Sequence, residues 1–295
     1  MTRVIAGSRL HFGLLSLHGT RRFGGVGVMI DMPRLVVSAM PASQWSATGP
    51  LATRALEFAR PLAEPHRLMI EEAPPEHSGF GTGTQLALAV GRAVSSLSLE
   101  EIARQTGRAR RSAIGTHGFA SGGLLVDGGR REGIAPLIVR YEIPKNWRIV
   151  VAMPDAPQGL SGGGEAGAFS KLPGDCALTD KLCRLTLLGM LPALVEGNLA
   201  DFAAALGEFN ARSGELFAPI QGGAYCVGVV SELIARMRSL GVEGVGQSSW
   251  GPAAFAVVEA DKAEWLRERI AAYLGPTGRT WLTTARNVGA EVSMD

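Results

Sequence analysis

Apolar residues along this chain recur in two periods, and the switches between them mark out the elements. Leu51, Ala55, Phe58, Ala59 and Leu62 fall at helical spacing across Ala52 to Ala63, and Pro61 and Pro65 end that segment. Leu86, Ala89, Val90, Ala93 and Leu97 form a second helical stripe; Leu266, Ile270 and Tyr273 form another, behind a predicted cap at Asp261. Ser98 and Glu101 frame a capping box, which predicts a helix to about Thr106. A helix from about Asp180 to Glu196 carries Pro192, which predicts a kink or break. The next is predicted to be capped by Asn198 with Asp201 in its first turn, and Ser231 to cap one that ends at Gly241. Shorter runs read as strands: Arg3–Ala6, Leu10–Leu15, Gly25–Ile30, Leu68–Glu72, Trp147–Met153, Val242–Ser249, Ala253–Glu259 and Thr280–Ala285. Leu124–Gly129 and Ile134–Tyr141 read as a hairpin that closes the first half, with a boundary at Pro144–Asn146. The pattern predicts an α+β chain of two domains, 1–145 and 146–295, the second alternating strand and helix in a split β-α-β layout.

The stretch that interrupts this alternation most sharply is His77–Ser–Gly79–Phe–Gly81–Thr82–Gly83–Thr84, which runs straight into the Gln85 helix. Alternate glycines let backbone approach a ligand closely, and the first helical amides have no intrahelical acceptor, so such a turn favours anions, phosphate above all. The threonine hydroxyls add donors, or help to hold a metal bound to phosphate. No Lys-Ser/Thr pair follows the glycines, which excludes a Walker loop, and a tight turn with a helix cap is the bland alternative.

Composition narrows the function classes. Of 295 residues, 46% are hydrophobic and 19% charged, which describes a globular protein with a sizeable core. A net charge of +2 gives no global field for nucleic acid or an anionic membrane. The positive charge is arginine apart from Lys145, Lys171, Lys181 and Lys262, and arginine suits bidentate phosphate or carboxylate recognition. Ser98 to Arg108 has some likeness to a helix-turn-helix reader, but the glycines of Ser112–Gly118 argue against a recognition helix, and Arg108, Arg110 and Arg111 read better as a basic loop beside the phosphate site. Cys176, Cys183 and Cys226 form no CxxC, and no spacing suggests zinc; the expectation is a cytoplasmic protein with free thiols, without a signal peptide or a membrane-spanning run.

Pro75, three residues, then the Gly79–Thr84 turn before a helix resembles the phosphate-loop motif of the GHMP kinase superfamily. Ala6–Leu14 occupies the place of its opening-strand signature, and Gly244–Gly251 that of its C-terminal glycine motif. Within the superfamily, Ser8–Leu15, Gly24–Gly27, Gly79–Gly91 and Gly159–Gly162 are similar to β-ribofuranosylaminobenzene 5′-phosphate synthases. The resemblance implies a ribosomal-protein-S5-like N-terminal domain and a ferredoxin-like C-terminal one. It also implies condensation of phosphoribosyl pyrophosphate with 4-aminobenzoate or 4-hydroxybenzoate, with loss of CO2 and pyrophosphate, in tetrahydromethanopterin biosynthesis. Mg2+ is the expected cofactor, and a homodimer is left open. Where homoserine-kinase-like members carry an acid, Gly115–Thr–His117–Gly–Phe119 carries phenylalanine, so a small-molecule kinase using ATP is the alternative but lacks an obvious base. A non-catalytic relative is the third reading.

On the synthase reading, the Gly79, Gly81, Thr82, Gly83, Thr84 turn takes the pyrophosphate or the 5′-phosphate, and Ser248, Ser249 and Gly251 complete the anion cradle. Arg9, Arg21 and Arg22 are candidate clamps, with Ser8, Gly24, Gly25 and Ser121 as further substrate contacts. His11 and His117 are the acid-base or hydrogen-bonding candidates. His18, His66 and His77 have weaker claims. Glu165, in a glycine-rich loop over Gln158–Gly167, and Lys171 just after it are read either as chemistry or as a surface pair.

Overall fold

A computed structural model describes residues 1–156, 172 and 174–294. The Gln158–Gly167 loop, with Gly159–Gly162, Glu165 and Lys171, lies outside the described residues.

The first sheet is built from β1 (Thr2–Leu14), β2 (Gly25–Pro41), β3 (Ser46–Thr48), β4 (His66–Glu72), β5 (Leu124–Asp127) and β6 (Leu137–Tyr141). The two strands read between Arg3 and Leu15 are one long β1, continuous through register shifts against β2 between Ala6 and Ser8 and between His11 and Gly13. Helices α1 (Ala52–Ala59), α2 (Thr82–Val94), α3 (Leu99–Gln105) and α4 (Ile114–Ser121) cover this sheet over a core that includes Leu35, Leu68, Ile70, Phe58, Leu86, Ile102 and Phe119. The predicted capping box of α3 is present in both directions.

The second sheet is antiparallel, from β7 (Trp147–Met153), β8 (Val245–Gln247), β9 (Ala254–Glu259) and β10 (Arg279–Thr283), in the order β10-β7-β9-β8. That is the 4-1-3-2 order of a ferredoxin-like sheet. Its strands are apolar on both faces. Val150, Ala152, Ala254 and Ala256 face a core with Leu233, Met237, Leu266 and Ile270, while Ile149, Val151, Phe255 and Val257 face a core shared with Leu10 and Phe12 of β1. Helices α5 (Cys176–Arg184), α6 (Leu191–Glu196), α7 (Leu199–Glu215), α8 (Ala218–Gln221), α9 (Val229–Ser239) and α10 (Ala260–Leu274) complete the second unit. The last strand, β11 (Glu291–Met294), crosses back and pairs antiparallel with Thr2–Ile5 of β1. The first sheet therefore takes its final strand from beyond the 146 boundary.

Three local expectations are corrected. The glycines of 115–118 do not prevent a helix; α4 runs through them, because Gly118 sits where a Cβ would be 2.4 Å from the Met29 sulfur and Gly115 sits against Thr84. Close packing overrides glycine's low propensity there. Pro192 does not break its helix: a π-helical segment, Leu185–Met190, precedes it and joins α5 to α6. Asn198 caps α7 as predicted, but Ser231 and Asp261 lie inside α9 and α10, whose caps are Gly228 and Glu259. Among the described residues no helix is long and apolar enough to cross a membrane.

Candidate active site

One cavity of about 870 Å³ opens where β1, the Gly79–Thr84 turn, the 107–112 loop and the second unit meet. β1 delivers Arg9, His11 and Gly13 to it, the alternate residues of one strand face. Leu10 and Phe12, between them, are buried in the core.

The glycine turn is locked into place from both sides. Arg9 donates its amide to the Phe80 carbonyl at 2.9 Å, and the buried Ser248 hydroxyl donates to the Gly79 carbonyl at 2.7 Å while accepting the His11 amide at 2.9 Å. Gly251 packs so tightly on the turn that a Cβ would lie 2.0 Å from Ser78, which is why no side chain fits there. Gly81 takes a left-handed φ of +69° and caps α2, whose first intrahelical bonds are those of the Thr84 and Gln85 amides to the Gly81 carbonyl. The amides of Thr82 and Gly83 stand ahead of them at the positive end of a 13-residue helix.

Around that helix end the cavity is cationic. Arg9, Arg22, Arg54, Arg108, Arg110 and Arg111 line it together with His11, His18 and His77, and no aspartate or glutamate does so among the described residues. A Cβ at Gly83 would lie 2.7 Å from Arg54 Nη2 and 3.3 Å from Arg108 Nη1, so both guanidinium groups sit at the second residue of the helix. Both also lie over the Phe58 ring, at 5.6 and 4.8 Å from its centroid. Glu76, beside the cavity, is committed to Arg54. Burial, and then the neighbouring charges of Arg54, Arg110 and Arg111, pull the Arg108 pKa down to about 10. Like charges crowded together in this way repel, and a bound polyanion would relieve that repulsion.

His11 is buried, and its imidazole is held well below its ordinary pKa by desolvation, then by Arg9 and Arg111. It is neutral at neutral pH and so presents one donor and one acceptor. A Cβ on Gly25 would lie 2.9 Å from His11 Nε2; glycine at 25 makes room for this ring. The other end of the cavity has a different character. Leu17, Phe23, Phe217 and Trp250 line it, the last two packed edge to face at 4.8 Å.

The fold and this site can be set against known proteins. Residues 190–275 match the family model described as GHMP kinases C terminal. Mevalonate-3-kinase from Thermoplasma acidophilum superposes with a TM-score of 0.68 at 10% identity, covering 99% of this chain and 98% of that one. Homoserine kinase from Cytophaga hutchinsonii gives 0.63 at 14%, covering 99% and 97%. At such identities the likeness is one of fold. The curated relatives go further: β-ribofuranosylphenol 5′-phosphate synthase of Methanothermobacter thermautotrophicus is 31% identical over 96% of both chains, and that of Archaeoglobus fulgidus 31% over 100% of both. The chain belongs to the β-ribofuranosylphenol 5′-phosphate synthase family.

Within this family member, the cavity gathers many of the residues singled out from sequence and leaves others outside. Arg9, His11, Arg22, Gly79, Gly81, Thr82, Gly83, Thr84, Ser249 and Gly251 line it. Thr82 donates its hydroxyl to the Pro75 carbonyl at 2.8 Å, so that group already braces the turn. Ser248 is a brace as well, fully buried behind the turn, rather than part of the cradle surface. His117 does not reach the cavity: it lies on α4 with Nε2 2.8 Å from the Ala135 carbonyl, and the Ser121 hydroxyl donates to its carbonyl. Ser8, on the opposite face of β1 from Arg9, donates to Pro33. Arg21 turns outward and donates to the Gly129 carbonyl, and Gly24 and Gly25 serve close backbone packing against 127–129 and His11. Phe119 is buried in the first core, away from the cavity.

Arg54 and the aromatic wall are the residues that sequence reading missed. Arg54 is a lone arginine on the polar side of an amphipathic helix, with no motif around it. Phe217 and Trp250 belong to different elements that only the tertiary fold pairs.

Proposed function

We propose that this chain is a decarboxylating pentosyltransferase that joins phosphoribosyl pyrophosphate to a para-substituted benzoate and releases CO2 and pyrophosphate, the step its resemblance sets at the start of tetrahydromethanopterin synthesis. The name of its relatives, a ribofuranosylphenol phosphate synthase, favours 4-hydroxybenzoate as the acceptor. One observation carries the reading: six arginines and a bare helix N-terminus share a cavity with an aromatic wall, and no carboxylate lines it among the described residues.

The reaction needs those features. As pyrophosphate leaves ribose C1′ with the electrons of the C–O bond, C1′ becomes oxocarbenium-like. The ring carbon bearing the carboxylate attacks it, and the bond to the carboxyl group then breaks, its electron pair restoring the aromatic ring as CO2 departs. No proton has to be removed, so no carboxylate base is required. A hydroxyl-activating kinase would want one. The Thr82 and Gly83 amides with Arg54 and Arg108 hold a phosphate group at the α2 end, and Arg9 and Arg111 beside His11 form a second cationic subsite. Neutral His11 lies between the cationic and aromatic ends, where it hydrogen-bonds substrate without adding a third charge. The apolar wall seats the arene ring and keeps water from the reacting end of the cavity, which favours loss of CO2.

A resident Mg2+ does not fit the described residues. That ion favours carboxylates with phosphate oxygens, and the cavity lining supplies no carboxylate. No cluster of three metal-ligating side chains occurs among the described residues either. Arginines and amides meet the phosphate charge instead, and Mg2+ enters only as part of a metal-chelated substrate.

A thermal-shift panel tests the assignment. Phosphoribosyl pyrophosphate at about a hundred times its dissociation constant stabilises the fold by about 2.7 kcal/mol, a rise of roughly 4 °C. Most of that rise persists in a chelator, and ATP gives none. A shift with ATP alone points to the kinase reading.

A further inference from the structure

The geometry points to Gln221 as the residue that reads the para substituent of the acceptor, its side-chain Oε1 accepting a hydrogen bond from the hydroxyl or amino group. This assignment rests on the acceptor being a para-substituted benzoate, as proposed above.

The carbon that attacks the sugar is the one that carries the carboxylate. That end of the ring must therefore face the arginines and His11, and the para position, directly opposite, must point into the Phe217–Trp250 end. Among the polar side chains at that end, most have their capacity used by the fold. Asn210 donates to the Phe12 and Gln247 carbonyls and accepts the Gln247 amide. Ser213 donates to the Leu14 carbonyl and accepts the Leu14 amide. Gln247 accepts the Cys226 amide at 2.8 Å and donates to the Ser249 carbonyl and the Cys226 sulfur.

Gln221 differs. It lies one helical turn beyond Phe217, to whose carbonyl its own amide donates. Its Nε2 is ringed by three backbone carbonyls, those of Gly214, Gly223 and Ala224, at 3.2, 3.0 and 3.0 Å. Three acceptors around one nitrogen fix which end of the amide is which, since a flip would set oxygen against oxygen. Among the described residues Oε1 has a single weak partner, the Cys226 thiol at 3.7 Å. A carbonyl oxygen has two lone pairs, so a strong acceptor site remains on a side chain that lines the cavity.

The chemistry gives that acceptor a task. Attack through the carboxylate-bearing carbon builds positive charge at the para carbon, and the para heteroatom shares its lone pair to spread it. Its O–H or N–H becomes a much stronger donor at that moment. An acceptor waiting there stabilises the transition state more than the ground state. The proton stays on the heteroatom when CO2 leaves. Gln221 thus accepts from either a hydroxyl or an amino group and rejects a para group with no donor.

Two measurements on the full chain decide the matter. In calorimetric titrations with ribose 5-phosphate and pyrophosphate filling the donor end, wild type binds 4-hydroxy- and 4-aminobenzoate at least tenfold more tightly than 4-methylbenzoate. In turnover, Gln221→Met lowers kcat/KM for 4-hydroxybenzoate about 30-fold and leaves the KM for phosphoribosyl pyrophosphate within twofold. The variant also binds the hydroxy and methyl acids alike. Equal binding of the two acids by wild type overturns the assignment, and needs no variant to fold. So does undiminished discrimination in a folded Gln221→Met. If wild type turns over neither hydroxy- nor aminobenzoate, the reaction assignment falls, and this one with it.

Discussion

Replacing Arg54 and Arg108 together by methionine weakens phosphoribosyl pyrophosphate binding about a thousandfold. Methionine keeps an unbranched apolar stem over Phe58 and deletes only the charged head, so the change isolates electrostatics from packing. Each guanidinium that meets a phosphate contributes on the order of 1.5–3 kcal/mol through charge-assisted hydrogen bonds, and two such losses make about 4 kcal/mol, or three powers of ten in affinity. The unliganded protein should not melt lower for losing Arg108. That side chain has its pKa drawn down by burial and by three neighbouring arginines, and removing charge from the group relieves repulsion. Titration calorimetry on the double variant measures the affinity, and scanning calorimetry on Arg108→Met alone, which leaves the Arg54–Glu76 pair intact, measures the stability. A loss of less than tenfold would mean that the end of α2 is not where the sugar phosphate sits.

Asp127→Ala lowers the melting temperature by about 6 °C. Asp127 is fully buried at the end of β5 and accepts four hydrogen bonds: Gly25 and Gly129 amides at 3.2 and 3.1 Å on one oxygen, Ser112 hydroxyl and Ala113 amide at 2.7 and 2.8 Å on the other. Burial lifts its pKa above the ordinary carboxylate range despite those four donors, so desolvation is the largest influence on it. Alanine leaves the donors with nothing to meet, at about 1–3 kcal/mol for each that water cannot reach. A net cost of about 4 kcal/mol corresponds to roughly 6 °C in a chain of this size. The same carboxylate ties Ser112, the last residue of the arginine loop, to the start of β2, so activity should fall further than stability alone explains. A shift under 2 °C in differential scanning calorimetry would contradict this role.

What the sequence disclosed follows from how locally each feature is encoded. The glycine turn at 79–84 was legible because small residues at alternate positions and a helix stripe beginning at once leave few other conformations. The second sheet was legible from Trp147–Met153, whose apolar run Ile149–Met153 needs burial on both faces. β11 was not legible, since four exposed residues, Glu291–Met294, carry no core pattern and gain order by pairing with β1 and by the Glu291–Arg286 ion pair. His117 was misplaced because a histidine in a glycine-rich segment reads as a loop group, whereas packing against Met29 and Thr84 makes that segment a helix and turns the ring to Ala135. Ser8 was misplaced by a parity that is simple in hindsight: one residue along a strand reverses the face, so Ser8 and Arg9 could not both line the same cavity. Arg54 left no local trace at all. Its role exists only because α1 packs on α2 and brings the guanidinium to Gly83.

The central claim is that this cavity joins a sugar phosphate to an arene by expelling a carboxylate rather than by moving a phosphoryl group. The direct measurement is incubation of the wild-type chain with phosphoribosyl pyrophosphate and 4-hydroxybenzoate labelled at its carboxyl carbon, with counts of labelled CO2 and of pyrophosphate. One CO2 for each pyrophosphate, and neither without the other substrate, is the predicted result. Pyrophosphate released with the label still on the arene, or no release of either from a protein that binds both substrates, would contradict it.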